Sequence, residues 1–162
     1  PAAGIRDFHR SKRKSLMSTA VALNQSHIQL ACAYVGTMLC GFDIQYVQEI
    51  KKYSEVTNVP LSPPDIRGIM NLRGQIVTLI DLNVKLNLPA NGEQERKIVI
   101  VNWDYEYIGF LVDRISDVFT VHREKISPPP PNIKGAQGRY FRGIYHLKND
   151  LIGIIDMDAA IS

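Results

Sequence analysis

The side chains that most often act as nucleophiles, bases or metal ligands are few in this sequence and widely separated. Histidine occurs four times and cysteine twice, as His9, His27, His122, His146, Cys32 and Cys40. The two cysteines match no zinc-binding spacing, and we interpret them as buried free thiols in a reducing compartment. No phosphate-binding glycine motif is present either. We therefore expect neither an enzyme nor a metal site, and no cofactor.

The charged residue with the most unusual setting is Arg73, which lies at the tip of an apolar hairpin. Apolar residues run up to Leu72, Arg73 and Gly74 form the turn, and residues 76–82 return as an almost continuous apolar run. Gly74 suits the turn because glycine adopts positive φ without steric cost. Since a partly buried arginine needs a partner, its presence at this tip indicates a recognition surface.

Composition excludes several other classes of protein. Hydrophobic residues make up 45% of the chain and charged residues 22%, which is ordinary for a globular domain. No apolar run reaches the roughly 18 residues of a membrane-spanning helix, so we expect no membrane insertion. Five of the basic residues lie in residues 1–27 against Asp7 alone, which leaves the remaining body with a charge of −1 out of the total of +3. Nucleic-acid binding by the body is therefore not expected.

The chain contains an internal repeat. Arg67-Gly68-Ile69 recurs 75 residues later as Arg142-Gly143-Ile144, and six of sixteen positions are identical when the two segments are continued without gaps. Gly41-Phe42 likewise matches Gly109-Phe110. Each half reads as about five short strands, and such strands avoid open edges by closing into a small barrel. The repeat therefore predicts two packed barrels with a groove between them.

These observations define the expected organisation of the chain. We predict an all-β fold with short helices, with a first barrel at about 27–88 and a second at about 96–157, and leave open whether end strands cross between them. Residues 1–26 form a basic tail, either flexible or of expression-vector origin. The repeat places Lys148-Asn149 where the first copy has Arg73-Gly74. Because the scaffold repeats while the tips differ, the first tip is predicted to carry the specific recognition.

The hairpin sequence from Asn71 to Leu82 resembles the CheW family, the coupling proteins of bacterial chemotaxis. The resemblance covers about residues 28–161 and includes further segments: Gly41-Phe42-Asp43-Ile44, Val47-Gln48-Glu49-Ile50, Pro64 with Gly68, Val112-Asp113 and Asp117-Val118. It implies two SH3-like five-stranded β-barrels related by a pseudo-twofold axis. It also implies a non-catalytic, cytoplasmic adaptor that couples chemoreceptors to a histidine kinase at membrane-associated receptor arrays.

The same resemblance implies two binding surfaces. The cytoplasmic tip of the chemoreceptor would enter the groove between the barrels, and Glu49 would be the carboxylate partner of Arg73. The implied receptor-binding residues are Val47, Glu49, Asn71, Leu72, Arg73 and Gly74. The regulatory domain of the kinase, which has the same fold, would contact the barrel ends through Ile44, Val56, Val118 and Phe119.

Two other interpretations of the sequence stay open at this point. The chain could be a CheW-like domain from a larger chemotaxis protein, such as the regulatory domain of the kinase or an adaptor fused to a receiver domain. It could also be a small β-barrel enzyme or ligand-binding protein, which would require a deep pocket with converging polar groups. The sequence offers no cluster of residues for such a pocket.

Overall fold

The computed structural model describes residues 26–54, 56–90 and 95–162, so the prediction for the basic tail lies almost entirely outside the described residues. The strands in these ranges are β1 His27–Val35, β2 Met38–Asp43, β3 Val47–Lys52, β4 Ile66–Leu72, β5 Gln75–Asp81, β6 Lys97–Trp103, β7 Glu106–Val112, β8 Arg114–His122, β9 Asn132–Ile133, β10 Ala136–Gln137, β11 Phe141–His146 and β12 Leu151–Ile155. Two five-residue helices follow β5 and β12, namely α1 Leu82–Leu86 and α2 Met157–Ile161. No helix within the described ranges is long and apolar enough to cross a membrane.

The long strands form two five-stranded sheets whose members alternate between the halves of the chain. One sheet, here called barrel I, has the order β3-β6-β7-β5-β4, and the other, barrel II, has the order β11-β12-β2-β1-β8. Each barrel thus takes two strands from one copy of the repeat and three from the other. The sheets do not follow the expected division at 27–88 and 96–157, because the parallel pairs β5–β7 and β2–β12 join strands from different halves.

In each sheet, the chain segment that follows one edge strand pairs with the opposite edge strand and so closes the sheet into a barrel. Beyond β3, Thr57 exchanges two backbone hydrogen bonds with Ile69 of β4, at 2.9 and 2.8 Å. Beyond β8, Ser127 does the same with Ile144 of β11, at 2.9 Å in both directions. These bridges occupy equivalent places in the two copies and join the outer strands of each sheet. The structure therefore confirms the predicted pair of five-stranded, SH3-like barrels.

The closure explains why the glycine of the Arg-Gly-Ile sequence is repeated. A Cβ atom at Gly68 would lie 2.4 Å from the carbonyl oxygen of Thr57, and the φ of Gly68 is +153°. At the equivalent Gly143 a Cβ atom would lie 2.9 Å from the carbonyl oxygen of Ser127. The closing segment therefore crosses so near to each glycine that no side chain fits between them.

We expect Gly68→Ala to lower the free energy of unfolding by about 1–3 kcal/mol, because the new methyl group overlaps the backbone of the closing segment. Gly74→Asn is the matched control: nothing lies within 4 Å of its Cβ position, and asparagine tolerates positive φ. Urea denaturation of the two variants checks this. Equal stability of both variants would contradict the role assigned to Gly68.

The shared core lies between the barrels. Phe42 of β2 and Phe110 of β7, which are equivalent in the repeat, meet there with ring centroids 5.4 Å apart and are both fully buried. Each barrel also has a smaller interior cluster, around Leu30 in barrel II and around Leu79 in barrel I. The phenylalanine of the Gly-Phe pair is therefore repeated because both rings pack together in the shared core.

Gly135 and Gly138 by themselves predict a flexible loop, but the structure has a short hairpin at this place. Residues on either side of Lys134 form the short β9–β10 hairpin, and the side chains of Ile133 and Ala136 are buried in the shared core. The prediction of a loop was wrong because it rested on the glycines and overlooked Ala136 between them and Ile133 before them.

The prediction of free, buried cysteines is confirmed. Cys32 and Cys40 are both buried and unpaired by any disulfide. Burial raises the pKa of Cys32 to about 12 and raises that of Cys40 further. Both thiols are therefore protonated at neutral pH and serve as small apolar side chains of the core.

Candidate functional site at the mouth of barrel I

A tight turn presents Arg73 at the end of barrel I. Leu72 and Gln75 are paired across the ladder, and the two residues between them have φ values of 50° at Arg73 and 84° at Gly74. Two consecutive positive φ values are typical of the two-residue turns that match the twist of a hairpin. The side-chain oxygen of Asn71 accepts a 2.9 Å hydrogen bond from the Gly74 amide. The predicted hairpin is confirmed, and its turn holds Arg73 in place.

A buried carboxylate orients the guanidinium of Arg73. Arg73 donates a hydrogen bond to Glu49 of β3 and forms an ion pair with it. The Glu49 side chain is only 4% exposed, whereas that of Arg73 is 63% exposed. The hydrogen bond and the negative charge of Glu49 raise the pKa of Arg73 above its usual range. Because a guanidinium has five N–H donors, Arg73 can bind Glu49 and still offer donors to a partner.

A cavity of about 460 Å³ adjoins this ion pair. It is lined by six residues from one sheet: Gln48, Glu49, Leu72, Arg73, Gln75 and Tyr107. Leu72 belongs to the interior cluster of barrel I, and Glu49 is paired with Ile100 of that same cluster. The cavity therefore opens at the mouth of barrel I. The expectation that these residues line a groove between the barrels is corrected accordingly, because Glu49 and Leu72 point into one barrel.

The six residues of the implied receptor-binding set are placed in different ways. Glu49, Leu72 and Arg73 line the cavity, while Asn71 and Gly74 build the turn beside it. Val47 does not line the cavity and is packed in the shared core with 1% exposure. The structure thus brings five of the six together at one mouth and places Val47 beneath them.

The implied kinase-binding set requires one correction. Ile44 is fully buried in the shared core, so it has no surface with which to contact a partner. Val56 is half-buried and packs against the interior cluster of barrel I. Val118 and Phe119 are half-buried on opposite faces of β8, against the shared core and the interior cluster of barrel II.

Sequence reasoning did not identify Gln48, Gln75 and Tyr107 as part of the site. Gln48 and Gln75 could have been noticed, because each directly adjoins a residue of the implied set or the turn itself. Tyr107 carried no local signal. It reaches the cavity because β7 runs parallel to β5, with Tyr107 paired with Val77, and this pairing is visible only in the tertiary structure.

The equivalent mouth of barrel II lacks the ion pair. The repeat places Asp117 at the position of Glu49 and Lys148 at that of Arg73, and both are exposed. Among the described residues no ion pair joins them, and Lys134 instead binds Asp150 at 2.9 Å. That hydrogen bond holds the pKa of Asp150 below its usual range. The buried carboxylate that orients a cation is thus a feature of barrel I alone among these two equivalent mouths.

The duplicated aspartates Asp81, the last residue of β5, and Asp156, directly after β12, cap the short helices, as their equivalence in the repeat predicts. Asp81 accepts a 3.0 Å hydrogen bond from the Asn83 amide, and Asp156 accepts a 3.1 Å hydrogen bond from the Ala159 amide. Asp81 also binds two arginines, Arg67 at 2.7 Å and Arg96 at 2.9 Å. Burial alone would raise the pKa of Asp81, but the hydrogen bond and charge of Arg96, the charge of Arg67 and the hydrogen bond from the Val84 amide together lower that pKa.

This cluster continues to a carboxylate that joins the two barrels. Asp113 accepts hydrogen bonds from the Gly36 amide at 2.5 Å and from the Asn83 side chain at 3.0 Å. Gly36 lies in the β1–β2 turn of barrel II, and Asn83 lies in α1, directly after β5 of barrel I. Arg96 donates to Asn83 and therefore connects Asp113 with Asp81. A buried polar network thus fixes one barrel against the other.

Comparison with known proteins defines the class of this double-barrel domain. The structure is similar to the crystal structure of the scaffolding protein TtCheW from Thermoanaerobacter tengcongensis, with a TM-score of 0.76 and 28% identity, over 85% of this chain and 88% of that one. The probable chemotaxis protein CheW of Rhizobium etli is 32% identical over 148 residues, 90% of this chain and 96% of the relative. CheW of Klebsiella aerogenes is 36% identical over 123 residues, 75% of this chain and 74% of the relative.

Residues 29–162 also match the family described as the CheW-like domain. The chain therefore belongs to the CheW family, and it is a chemotaxis adaptor. The two alternative interpretations of the sequence are not favoured by these similarities.

Proposed function

We propose that this adaptor binds the cytoplasmic tip of a chemoreceptor and the regulatory domain of a chemotaxis histidine kinase, and joins them in one array. The observation that carries the proposal is the guanidinium of Arg73, which a buried carboxylate orients beside an open cavity. Such an arrangement suits recognition, because the ion pair fixes the geometry and leaves donors for a partner. Neither partner would be altered chemically.

The receptor tip would bind at the mouth of barrel I. A cavity of about 460 Å³ accommodates a few side chains, so it suits the end of a helical hairpin better than the long face of a helix. Leu72 and Tyr107 would supply apolar contact, and Arg73 would donate to carboxylate or carbonyl oxygens of the receptor. Asn71 and Gly74 would hold the turn, while Glu49 and Val47 would support the site from within the fold.

The kinase would bind elsewhere, at the ends of the barrels. Val56, Val118 and Phe119 are half-buried and retain surface that a partner could cover. Ile44 is excluded from this surface by its burial. Because the two sites use different parts of the fold, one adaptor could hold both partners at once. We place this complex in the cytoplasm, at membrane-associated receptor arrays.

A reconstitution with three purified components tests the proposal. A receptor cytoplasmic fragment, the regulatory domain of the kinase and this protein are mixed in pairs and together, and the complexes are separated by size-exclusion chromatography. We expect each partner to bind singly and all three to elute as one complex. Failure of both partners to bind would overturn the proposed function, and competition between them would overturn the assignment of separate sites.

A further inference from the structure

The turn between β6 and β7 has a residue that its backbone does not favour. Asp104 and Tyr105 have φ values of 51° and 64°, so both lie in the left-handed region. Turns of this kind favour Asn-Gly, and a bulky aromatic residue at such a position is an outlier. The equivalent positions in the other copy are Gly36 and Thr37. The aromatic residue is therefore a feature of barrel I and is not required by the repeated scaffold.

The ring of Tyr105 makes little contribution to the fold. Its side chain is among the most exposed of the described residues, and the residue as a whole is 98% exposed. Within the described ranges it forms no hydrogen bond or ring contact, whereas Tyr46 and Trp103 nearby stack edge to face at 4.8 Å. Since strained backbone persists mainly where it serves a function, the exposed ring requires an explanation outside the fold.

The strand register places Tyr105 at the same end of barrel I as the candidate site. β5 and β7 run parallel, and their pairing begins with Val77 and Tyr107. The turns that precede the two strands, Arg73-Gly74 and Asp104-Tyr105, therefore lie at the same end of the sheet. Tyr107, two residues after Tyr105, lines the cavity together with Arg73.

A second exposed apolar side chain lies at the same end. Ile76 of β5 is 60% exposed and directly follows Gln75 of the cavity lining. Arg73, Ile76 and Tyr105 together form what we call the tip surface. It combines two exposed apolar side chains with an oriented cation, a composition that is typical of the residues that dominate binding energy at protein interfaces.

We propose that Tyr105 is an anchor for the receptor tip, contacting it on the outer rim of the mouth while Arg73 contacts it at the cavity. This inference rests on the proposed function and adds a residue to it. The carboxylates of Asp104 and Glu106 flank Tyr105 and would repel an acidic partner there. The receptor segment at Tyr105 should therefore be apolar, with its hydrogen-bond acceptors placed toward Arg73.

Tyr105→Asn tests the anchor without disturbing the fold, because asparagine suits the left-handed backbone better than tyrosine does. We expect the variant to bind the receptor fragment about tenfold more weakly, with an unchanged or raised melting temperature and unchanged binding of the kinase domain. Tyr105→Phe should bind almost as well as the unaltered protein. Leu61→Asn is the matched control, because Leu61 also has positive φ and full exposure but lies before β4, away from the tip surface.

The outcomes separate this inference from the proposed function. Unchanged receptor binding by Tyr105→Asn, together with a loss by Arg73→Glu, would overturn the anchor and leave the function standing. Weaker binding of the kinase domain instead of the receptor would overturn the identity of the occupant. Equal losses of receptor affinity in Tyr105→Asn and Leu61→Asn would show a general effect of exposed apolar residues and would also overturn the anchor role of Tyr105. Absence of receptor binding by the unaltered protein would overturn the proposed function itself.

Discussion

We expect Arg73→Glu to abolish binding of the receptor fragment, with a loss of about a hundredfold or more, while the domain stays folded. The substitution replaces the donors that face the partner with acceptors, and it places a second carboxylate beside the buried Glu49. Like charges at an interface cost several kcal/mol. The fold tolerates the change because the Arg73 side chain is mostly exposed and its turn is held by Asn71 and Gly74. Fluorescence anisotropy with a labelled receptor fragment measures the affinity.

The repeat supplies the control for this experiment. Lys148 occupies the equivalent tip of barrel II and is exposed. The substitution Lys148→Glu changes the net charge by the same amount as Arg73→Glu. We expect this variant to bind the receptor normally. Arg73→Lys should have an intermediate affinity, because an ammonium keeps the charge but cannot form the planar, two-pronged contact. If Arg73→Glu and Lys148→Glu lost similar amounts of receptor affinity, the loss would be due to net charge alone, which would contradict the role assigned to Arg73.

We expect Asp81→Ala to lower the free energy of unfolding by about 3 kcal/mol or more. Removing one member of a buried ion pair leaves its partners uncompensated, and here Arg96 would lose a carboxylate while α1 would lose its cap. Asp156→Ala removes the equivalent cap, and the structure shows no arginine bound to Asp156 among the described residues. Its cost should be about 1 kcal/mol. Urea denaturation at neutral pH compares the two variants.

The same carboxylate predicts the direction of the acid dependence. The pKa of Asp81 is lower in the folded protein than its ordinary value of 3.8. Its contribution to stability is therefore fully present above that ordinary value and is lost as the pH falls through the lower, folded pKa. Asp81→Asn should accordingly show a flatter decline in stability below about pH 4 than the unaltered protein. Identical costs for Asp81→Ala and Asp156→Ala, or parallel pH profiles, would contradict the importance of the arginines.

Because the halves of the chain exchange strands, the buried polar network around Asp113 connects the two barrels. Strands β1 and β2 complete barrel II with the last three long strands of the chain, so each barrel depends on both copies. Asp113 lies where the chain passes from β7 of barrel I to β8 of barrel II, and it binds the β1–β2 turn. A change in this network would therefore alter the position of the barrels relative to each other.

The sequence alone determined the features that depend on neighbouring residues. The turn at Arg73 and Gly74 and the capping roles of Asp81 and Asp156 follow from local conformational preference and side-chain spacing. The duplication was equally visible, because equivalent positions in two barrels need the same residue types. The glycine and phenylalanine repeats are examples, since the structure shows a close backbone approach at Gly68 and a shared core at Phe42.

Only the tertiary structure decided which strands pair and which way the site faces. Several strands of this chain are similarly apolar, so their patterns do not specify whether β7 lies beside β5 of the other half, and this pairing brings Tyr107 to the cavity. Burial likewise depends on the whole fold, which is why Ile44 proved to be core and Glu49 proved to point into barrel I. Local preferences act within a few residues, whereas strand order and burial are set by contacts between residues far apart in the chain.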